Sequence, residues 1–292
     1  MRTPIGLITG PLGCGKTTLV RNLLEGMGER LAVIVNEFGE IAIDSKIIEG
    51  ENVRIVELAG GCVCCSLAGE FKAAVEEILG RYGPEMVLVE ATGVAEADAL
   101  VLEVEESLPE LRLDSVIYVV DAHLSTLYPQ MGYAARKQLE AADIILINKS
   151  DLVTDAEAFE VENQVRKFSR TAGCIRTVRC RVDPALLFGW SGRERARPSG
   201  GGGAASFESF SFTSDRRMDR EAFVAMMEDL PPSIWRAKGF VRFADGEFLF
   251  NYVVGRMELE EHGTEQTRLV FIGRRVEQER DSVVERLRRC EV

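Results

Sequence analysis

Gly10-Pro11-Leu12-Gly13-Cys14-Gly15-Lys16-Thr17 decides the fold. The stretch matches G-x-x-x-x-G-K-[ST], and it lies between a short apolar run, Ile5 to Thr9, and a helical pattern, Thr18 to Met27. Glycines adopt backbone conformations that other residues resist, so the N–H groups of such a loop can wrap a β-phosphate. The start of the following helix adds partial positive charge at the same place. Lys16 is expected to reach the β- and γ-phosphates, and the Thr17 hydroxyl to bind Mg2+. The candidate nucleotide contacts here are Gly13, Cys14, Gly15, Lys16, Thr17 and Thr18. Cys14 holds a free position of the loop and reads as a small filler before it reads as a redox switch.

Outward from this loop, apolar runs of strand length recur at residues 31–35, 53–58, 86–89, 116–120 and 144–147. Helical patterns lie between them. Leu67, Phe71, Ala74, Val75, Ile78 and Leu79 fall at helical spacing behind Ser66, a candidate N-cap, and residues 133–141 and 157–170 also read as helices. Strands alternating with helices imply βαβ units, and continuously apolar strands imply a parallel sheet covered on both faces. The composition changes at 191–206, SGRERARPSGGGGAAS, a flexible linker or exposed loop. Beyond it, residues 207–213 alternate at period two, Asp219 is placed to cap a helix through Leu230, and residues 239–243, 247–253 and 268–272 read as strands before a closing helix over 277–289. The expected fold class is α/β: a P-loop NTPase domain with a mainly parallel sheet over 1–190, the linker, and a small C-terminal α+β domain over 207–292.

Asn148-Lys149-Ser150-Asp151 follows an apolar strand in the form N-K-x-D. A carboxylate at Asp151 can accept hydrogen bonds from guanine N1–H and the 2-amino group, a pair that adenine does not offer. Asn148 can hold the base edge and brace the phosphate loop, and the Lys149 stem can lie over the purine. The nucleotide expected is GTP rather than ATP. Glu90-Ala91-Thr92-Gly93 closes another apolar strand. Glu90 can hold Mg2+ directly or through water, and the Gly93 N–H can meet a γ-phosphate and move when that phosphate leaves.

Gly60-Gly61-Cys62-Val63-Cys64-Cys65 is the most unusual segment. In an extended chain Cys62 and Cys64 point to one face, and Cys65 stands near the helix start at Ser66, where positive potential favours thiolate. Two or three thiolates on one small loop suit Zn2+ or a similar ion such as Co2+, Ni2+ or Cu(I). With at most three close cysteines the site is incomplete as a closed structural knot, and an open position suits metal handover. A structural metal, a redox pair and buried filler remain alternatives. Glu37 and Glu40, in the loop where a switch region is expected, can lend an oxygen ligand, and Asp44 can orient attacking water; each also fits a solvated acid. Lys16, Asp44, Glu90 and Gly93 are the candidate catalytic residues.

The 292 residues carry a formal net charge of −12, which argues against nucleic acid or anionic membrane as a partner. No apolar run reaches membrane-spanning length, and the N-terminus has no signal-peptide pattern, so a cytoplasmic location is expected. Seven cysteines, an odd number in a reducing compartment, do not make a disulfide framework. Only two histidines are present, so a transition-metal site must draw on sulfur and carboxylate.

Together GPLGCGKT at 10–17, VNEFGE at 35–40, GGCVCC at 60–65, VEATG at 89–93 and NKSD at 148–151 resemble the CobW family of P-loop GTPases, relatives of the UreG and HypB metal-insertion proteins. RAKGFVRF at 236–243 and LVFIG at 269–273 look like that family's C-terminal domain. The resemblance implies slow GTP hydrolysis, Zn2+ or Co2+ at the Cys-x-Cys-Cys loop, and delivery to a client metalloprotein or cofactor-synthesis enzyme. It is compatible with a nucleotide- or metal-dependent homodimer. Many members carry a His-rich stretch near the linker, where this chain has Ser, Gly and Arg. Two other readings stand beside a metallochaperone: a GTP-gated metal sensor or buffer with negligible hydrolysis, and a P-loop kinase, against which the N-K-x-D loop argues.

Overall fold

The computed structural model describes residues 2–27, 31–36, 53–57, 67–91, 101, 104, 106–188 and 207–292. The readings placed on Glu37, Glu40, Asp44, Cys62, Cys64, Cys65, Ser66, Gly93 and the 191–206 stretch lie outside those residues. The chain divides into two compact units, one built from Arg2–Arg170 with Cys174–Gly192, the other from Arg193–Val292 with Thr171–Gly173.

The first unit runs β1 (Thr3–Thr9), α1 (Lys16–Met27), β2 (Leu31–Asn36), β3 (Val53–Glu57), α2 (Leu67–Tyr82), β4 (Met86–Ala91), β5 (Leu111–Asp121), α3 (Ala122–Leu127), α4 (Tyr133–Ala141), β6 (Ile144–Asn148), α5 (Asp155–Arg166), β7 (Gly173–Arg176) and α6 (Pro184–Leu187). Among the described residues its sheet has the order β3-β2-β4-β1-β5-β6-β7, and β1 to β6 pair in parallel. Strands follow the chain outward on one side of β1, return through β4, then continue on the other side. The carboxyl ends of β1, β4, β5 and β6 therefore lie side by side along one edge, as in other open α/β sheets.

The apolar periodicity of α2 does what its spacing predicts. Phe71, Val75 and Ile78 are buried and join Ile5, Leu7, Ile34, Val87 and Val89 of the sheet in one core cluster. Several elements differ from the expected bounds, and in two of them the structure shows the physical reason. α5 begins two residues before Glu157, because Thr154 and Glu157 form a capping box: Glu157 N donates to Thr154 Oγ1, and Thr154 N donates to Glu157 Oε2. Hydrogen bonds from Thr154 also hold the Glu157 carboxyl below its ordinary range. β5 extends back to Leu111, beyond the apolar run, because Arg112 and Asp114 enter the interior as an ion pair at 3.2 Å.

The second unit contains β8 (Phe207–Ser214), α7 (Arg220–Glu228), β9 (Ile234–Phe243), β10 (Gly246–Val253), β11 (Arg256–Glu261), β12 (Thr267–Arg274) and α8 (Arg280–Arg289). Its antiparallel sheet has the order β11-β10-β9-β12-β8. β12 alternates: Leu269 and Phe271 are buried, and Arg268, Val270 and Arg274 are exposed. The buried side chains join Phe210, Phe223, Phe243, Phe250, Val283 and Leu287 in one core. Phe223 stands edge-on to Phe243 and Phe250, with centroids 5.4 and 5.2 Å away. Asp219 caps α7 as expected, its carboxylate accepting from Ala222 N at 2.8 Å. β11 escaped the periodicity reading because Arg256-Met257-Glu258-Leu259-Glu260-Glu261 is an acid-rich edge strand, the kind that discourages further pairing. The closing helix also differs: residues 276–278 form a 3-10 turn before α8 starts at Arg280.

Candidate functional site

Four strand ends build the site. Ile8 on β1 lies in register with Glu90 on β4, and Asp121 on β5 lies in register with Asn148 on β6. The Gly10–Thr17 loop, the strand-end acid and the Asn148–Asp151 loop are thus brought together by hydrogen-bonded ladders, from stretches 138 residues apart in sequence between Gly10 and Asn148.

The loop's backbone requires glycine at its two ends. Gly10 and Gly15 have φ of +137° and +114°. A Cβ at Gly10 would sit 2.5 Å from Val119 O, and one at Gly15 would sit 2.5 Å from Asn148 Nδ2. Lys16 opens α1, is buried, and donates from Nζ to Gly10 O at 2.9 Å and Pro11 O at 3.1 Å. Its ammonium is held under the loop by the loop's own carbonyls. Thr17, one position on, donates from Oγ1 to Glu90 Oε1 at 3.1 Å. Thr18 is exposed.

Cys14 is fully buried, and burial pushes its thiol up to about 11, with Lys16 opposing. It is a neutral thiol at ordinary pH. Asn148 is 2% exposed and binds three partners. Its Nδ2 donates to Cys14 O at 2.8 Å, and its Oδ1 accepts from Cys180 N at 2.8 Å and Thr177 Oγ1 at 3.2 Å. The bracing of the phosphate loop expected of Asn148 is present in this geometry, and its carbonyl oxygen is already engaged inside the protein. Lys149 has a left-handed backbone, φ +59°, and donates from Nζ to Asp121 Oδ2 at 2.5 Å. Asp151 follows in an exposed 3-10 turn, Ser150–Leu152.

Two parts of this site had not been read from the sequence. Asp121 is one; an acid that ends an apolar strand, as Glu90 does, was the available signal. The other is the Thr177–Cys180 loop. Besides its bonds to Asn148, it places Cys180 Sγ as a donor to Gly15 O at 3.4 Å, and its Arg179 carbonyl accepts from Asn22 Nδ2 of α1 at 2.7 Å. Ser150 Oγ donates to Thr177 O at 2.6 Å. Arg179 and Cys180 both have φ near +52°, a strained region for residues with side chains. Burial pushes the Cys180 thiol up to about 12.

The donor set at Thr17 and Glu90 fits Mg2+: a hydroxyl and a buried carboxylate, both hard oxygen ligands, within hydrogen-bond distance of one another. Among the described residues, no group of three or more His, Cys, Asp or Glu side chains is arranged to hold a metal ion. Among the same residues, no helix is long and apolar enough to cross a membrane.

The model of the CobW/HypB/UreG nucleotide-binding domain matches residues 4–176, and that of the cobalamin synthesis protein CobW C-terminal domain matches residues 207–291. A zinc chaperone CobW of Pseudomonas aeruginosa is 35% identical over 194 residues, covering 54% of this chain and 51% of that protein. The zinc chaperone YjiA of Escherichia coli is 32% identical over 197 residues, covering 64% of this chain and 61% of that protein. The crystal structure of Zn(II)-bound YjiA GTPase from E. coli is similar with a TM-score of 0.51 at 22% identity, covering 100% of both chains, a likeness of fold. The sequence matches span between half and two thirds of the length of these two relatives.

Proposed function

The chain belongs to the CobW/HypB/UreG family of nucleotide-binding proteins, and from that premise we propose that it binds and slowly hydrolyses GTP and carries Zn2+ or Co2+ as cargo to a client metalloprotein or cofactor pathway. The observation that carries the reading is a register. Val35 on β2 is paired with Glu57 on β3 and with Glu90 on β4, one on each side. Glu57 and Glu90 are therefore about two strand spacings, roughly 10 Å, apart. The chain reaches Cys62 five residues after Glu57, a span of at most about 18 Å, and Glu37 directly follows the last residue of β2. In the chain the acidic segment follows β2 and the sulfur-rich segment follows β3, the two strands that lie beyond β4 in the sheet order.

In this reading, the backbone from Gly13 to Thr18 and the Lys16 ammonium hold the phosphates, and Asp151 recognises guanine. Thr17 and Glu90 hold Mg2+, which when bound neutralises phosphate charge. Asp44 orients water, and Gly93 senses the γ-phosphate. Cys62, Cys64 and Cys65 with Glu37 or Glu40 hold the cargo. Soft thiolates and a borderline ion match, and the hard oxygen pair at Thr17 and Glu90 keeps the two metals chemically apart. Nucleotide state and cargo affinity are coupled by about 1–3 kcal/mol, or roughly 5–150-fold, and the coupling is reciprocal.

Cys64→Ser combined with Cys65→Ser tests the assignment. The protein is purified without added metal and titrated with Zn2+ and Co2+ against a competing chelator, in the GDP state and with a non-hydrolysable GTP analogue. The double variant loses tight metal binding and keeps GTP binding. Unchanged metal stoichiometry in that variant rejects the cysteine assignment, and equal wild-type metal affinity in the two nucleotide states rejects the coupling. Phosphate release with and without the metals separates a hydrolysing chaperone from a sensor.

A further inference from the structure

We propose that Asp121 is a positioning residue for the purine, acting through Lys149 and never touching the nucleotide; the proposal rests on reading Asn148–Asp151 as the guanine-selecting loop. Both carboxylate oxygens of Asp121 are engaged. Oδ1 accepts from Leu124 N at 2.9 Å and caps α3, and Oδ2 accepts from Lys149 Nζ at 2.5 Å. The Asp121 side chain is 9% exposed and that of Lys149 is 35% exposed. The acid is thus sealed into the end of β5, and the lysine reaches it from the loop.

The lysine is fixed at both ends. Its backbone is held left-handed at φ +59°, immediately before the 3-10 turn that carries Asp151. Its ammonium is held by Asp121, whose Cα lies in register with Asn148 on the neighbouring strand. The flexible four-carbon stem between these points is ordered in advance along the loop, and its apolar length is what a purine face can lie against. An untethered lysine would have to give up its rotamer freedom on each binding event.

Asp121→Asn separates this role from the cap. Asparagine caps helices as well as aspartate and keeps the Oδ1 acceptor for Leu124 N, but it turns an N–H donor toward the ammonium. Lys149→Met keeps the apolar stem and deletes the charge. The four proteins, wild type, D121N, K149M and the double variant, are titrated with a fluorescent GDP derivative, and inorganic pyrophosphate is used as competitor to read the phosphate loop alone. D121N should weaken the GDP derivative about 10-fold without weakening pyrophosphate, and should add nothing in the K149M background. Unchanged GDP affinity, fully additive losses, or parallel loss of GDP and pyrophosphate overturns the proposal. A wild type that binds GDP no better than ADP overturns the base-loop reading itself and this proposal with it. Rescue by Asp121→Glu, whose carboxylate can still reach Nζ, is the confirming arm.

Discussion

Thr17 Oγ1 donates to Glu90 Oε1 over 3.1 Å, joining the first turn of α1 to the end of β4. The hydroxyl and the carboxylate approach one another across the mouth of the phosphate loop, because β1 and β4 are neighbours and Glu90 lies level with Ile8. Under the proposed function, that pair would offer two oxygens to one Mg2+.

Removing the hydroxyl should therefore show as a change in Mg2+ demand. Thr17→Ala is expected to raise the Mg2+ concentration for half-maximal GTP hydrolysis by about 10- to 100-fold. Thr17→Ser, which keeps the oxygen, should stay near wild type. Phosphate release across a Mg2+ titration reads both. A Thr17→Ala protein with an unaltered Mg2+ curve would remove Thr17 from the cation site.

The glycines of the loop should not be equivalent. Alanine at Gly15 combines a left-handed backbone with a Cβ 2.5 Å from Asn148 Nδ2, whereas alanine at Gly13, φ +75°, meets nothing within 4 Å. Gly15→Ala should cost about 2–4 kcal/mol and abolish nucleotide binding, and Gly13→Ala about 1 kcal/mol from backbone strain. Denaturant midpoints rank them. The opposite order would mean that the loop relaxes around Asn148.

Asn148 and Asp151 should fail in different ways. Asn148→Ala deletes one donor and one doubly used acceptor inside the protein, so it should cost about 2–4 kcal/mol and weaken all nucleotides alike. Asp151 is exposed, so Asp151→Asn should change stability by less than about 0.5 kcal/mol. Its new amide donates where xanthine offers a carbonyl and guanine an amino group, so preference should move from GTP toward xanthosine triphosphate. Competition binding with both nucleotides decides the matter, and retained guanine preference in the asparagine variant counts against Asp151.

Buried thiols give the protein an alkaline limit. Cys14 and Cys180 are raised from an ordinary value near 9 to about 11 and about 12. Above pH 9 the unfolded chain loses these protons while the folded chain keeps them, so folding stability is full below 9 and falls as pH rises toward 11 and 12. The denaturant midpoint should decline over that window, and the decline should be shallower in Cys14→Ala with Cys180→Ala. An identical slope in the double variant would show that other groups titrate there. Neither native thiol should react with iodoacetamide at pH 7.

The legible parts of this molecule were those with a fixed spacing. The phosphate loop declared itself because its chemistry needs eight consecutive positions, and α2 because Phe71, Val75 and Ile78 repeat at the helical period. Polar strands were harder. The first five residues of β5 hide behind a buried Arg112–Asp114 pair, and β11 is mostly charge. The Thr177–Cys180 loop left no trace, since left-handed backbone at Arg179 and Cys180 has no residue signature when glycine is absent. Asp121 needed the β5–β6 register before its partner could be named. The sulfur and acidic segments are conspicuous by composition and lie outside the described residues.

Asn148 also marks where chemical ageing would strike hardest. Deamidation would exchange the amide that donates to the Cys14 carbonyl for a second carboxylate oxygen. Two acceptors would then face each other at 2.8 Å in a site closed to water, and the resulting repulsion would push the phosphate loop off its support. The sheet ladders would survive the lesion, so the damaged protein would keep its circular-dichroism spectrum and lose its grip on nucleotide.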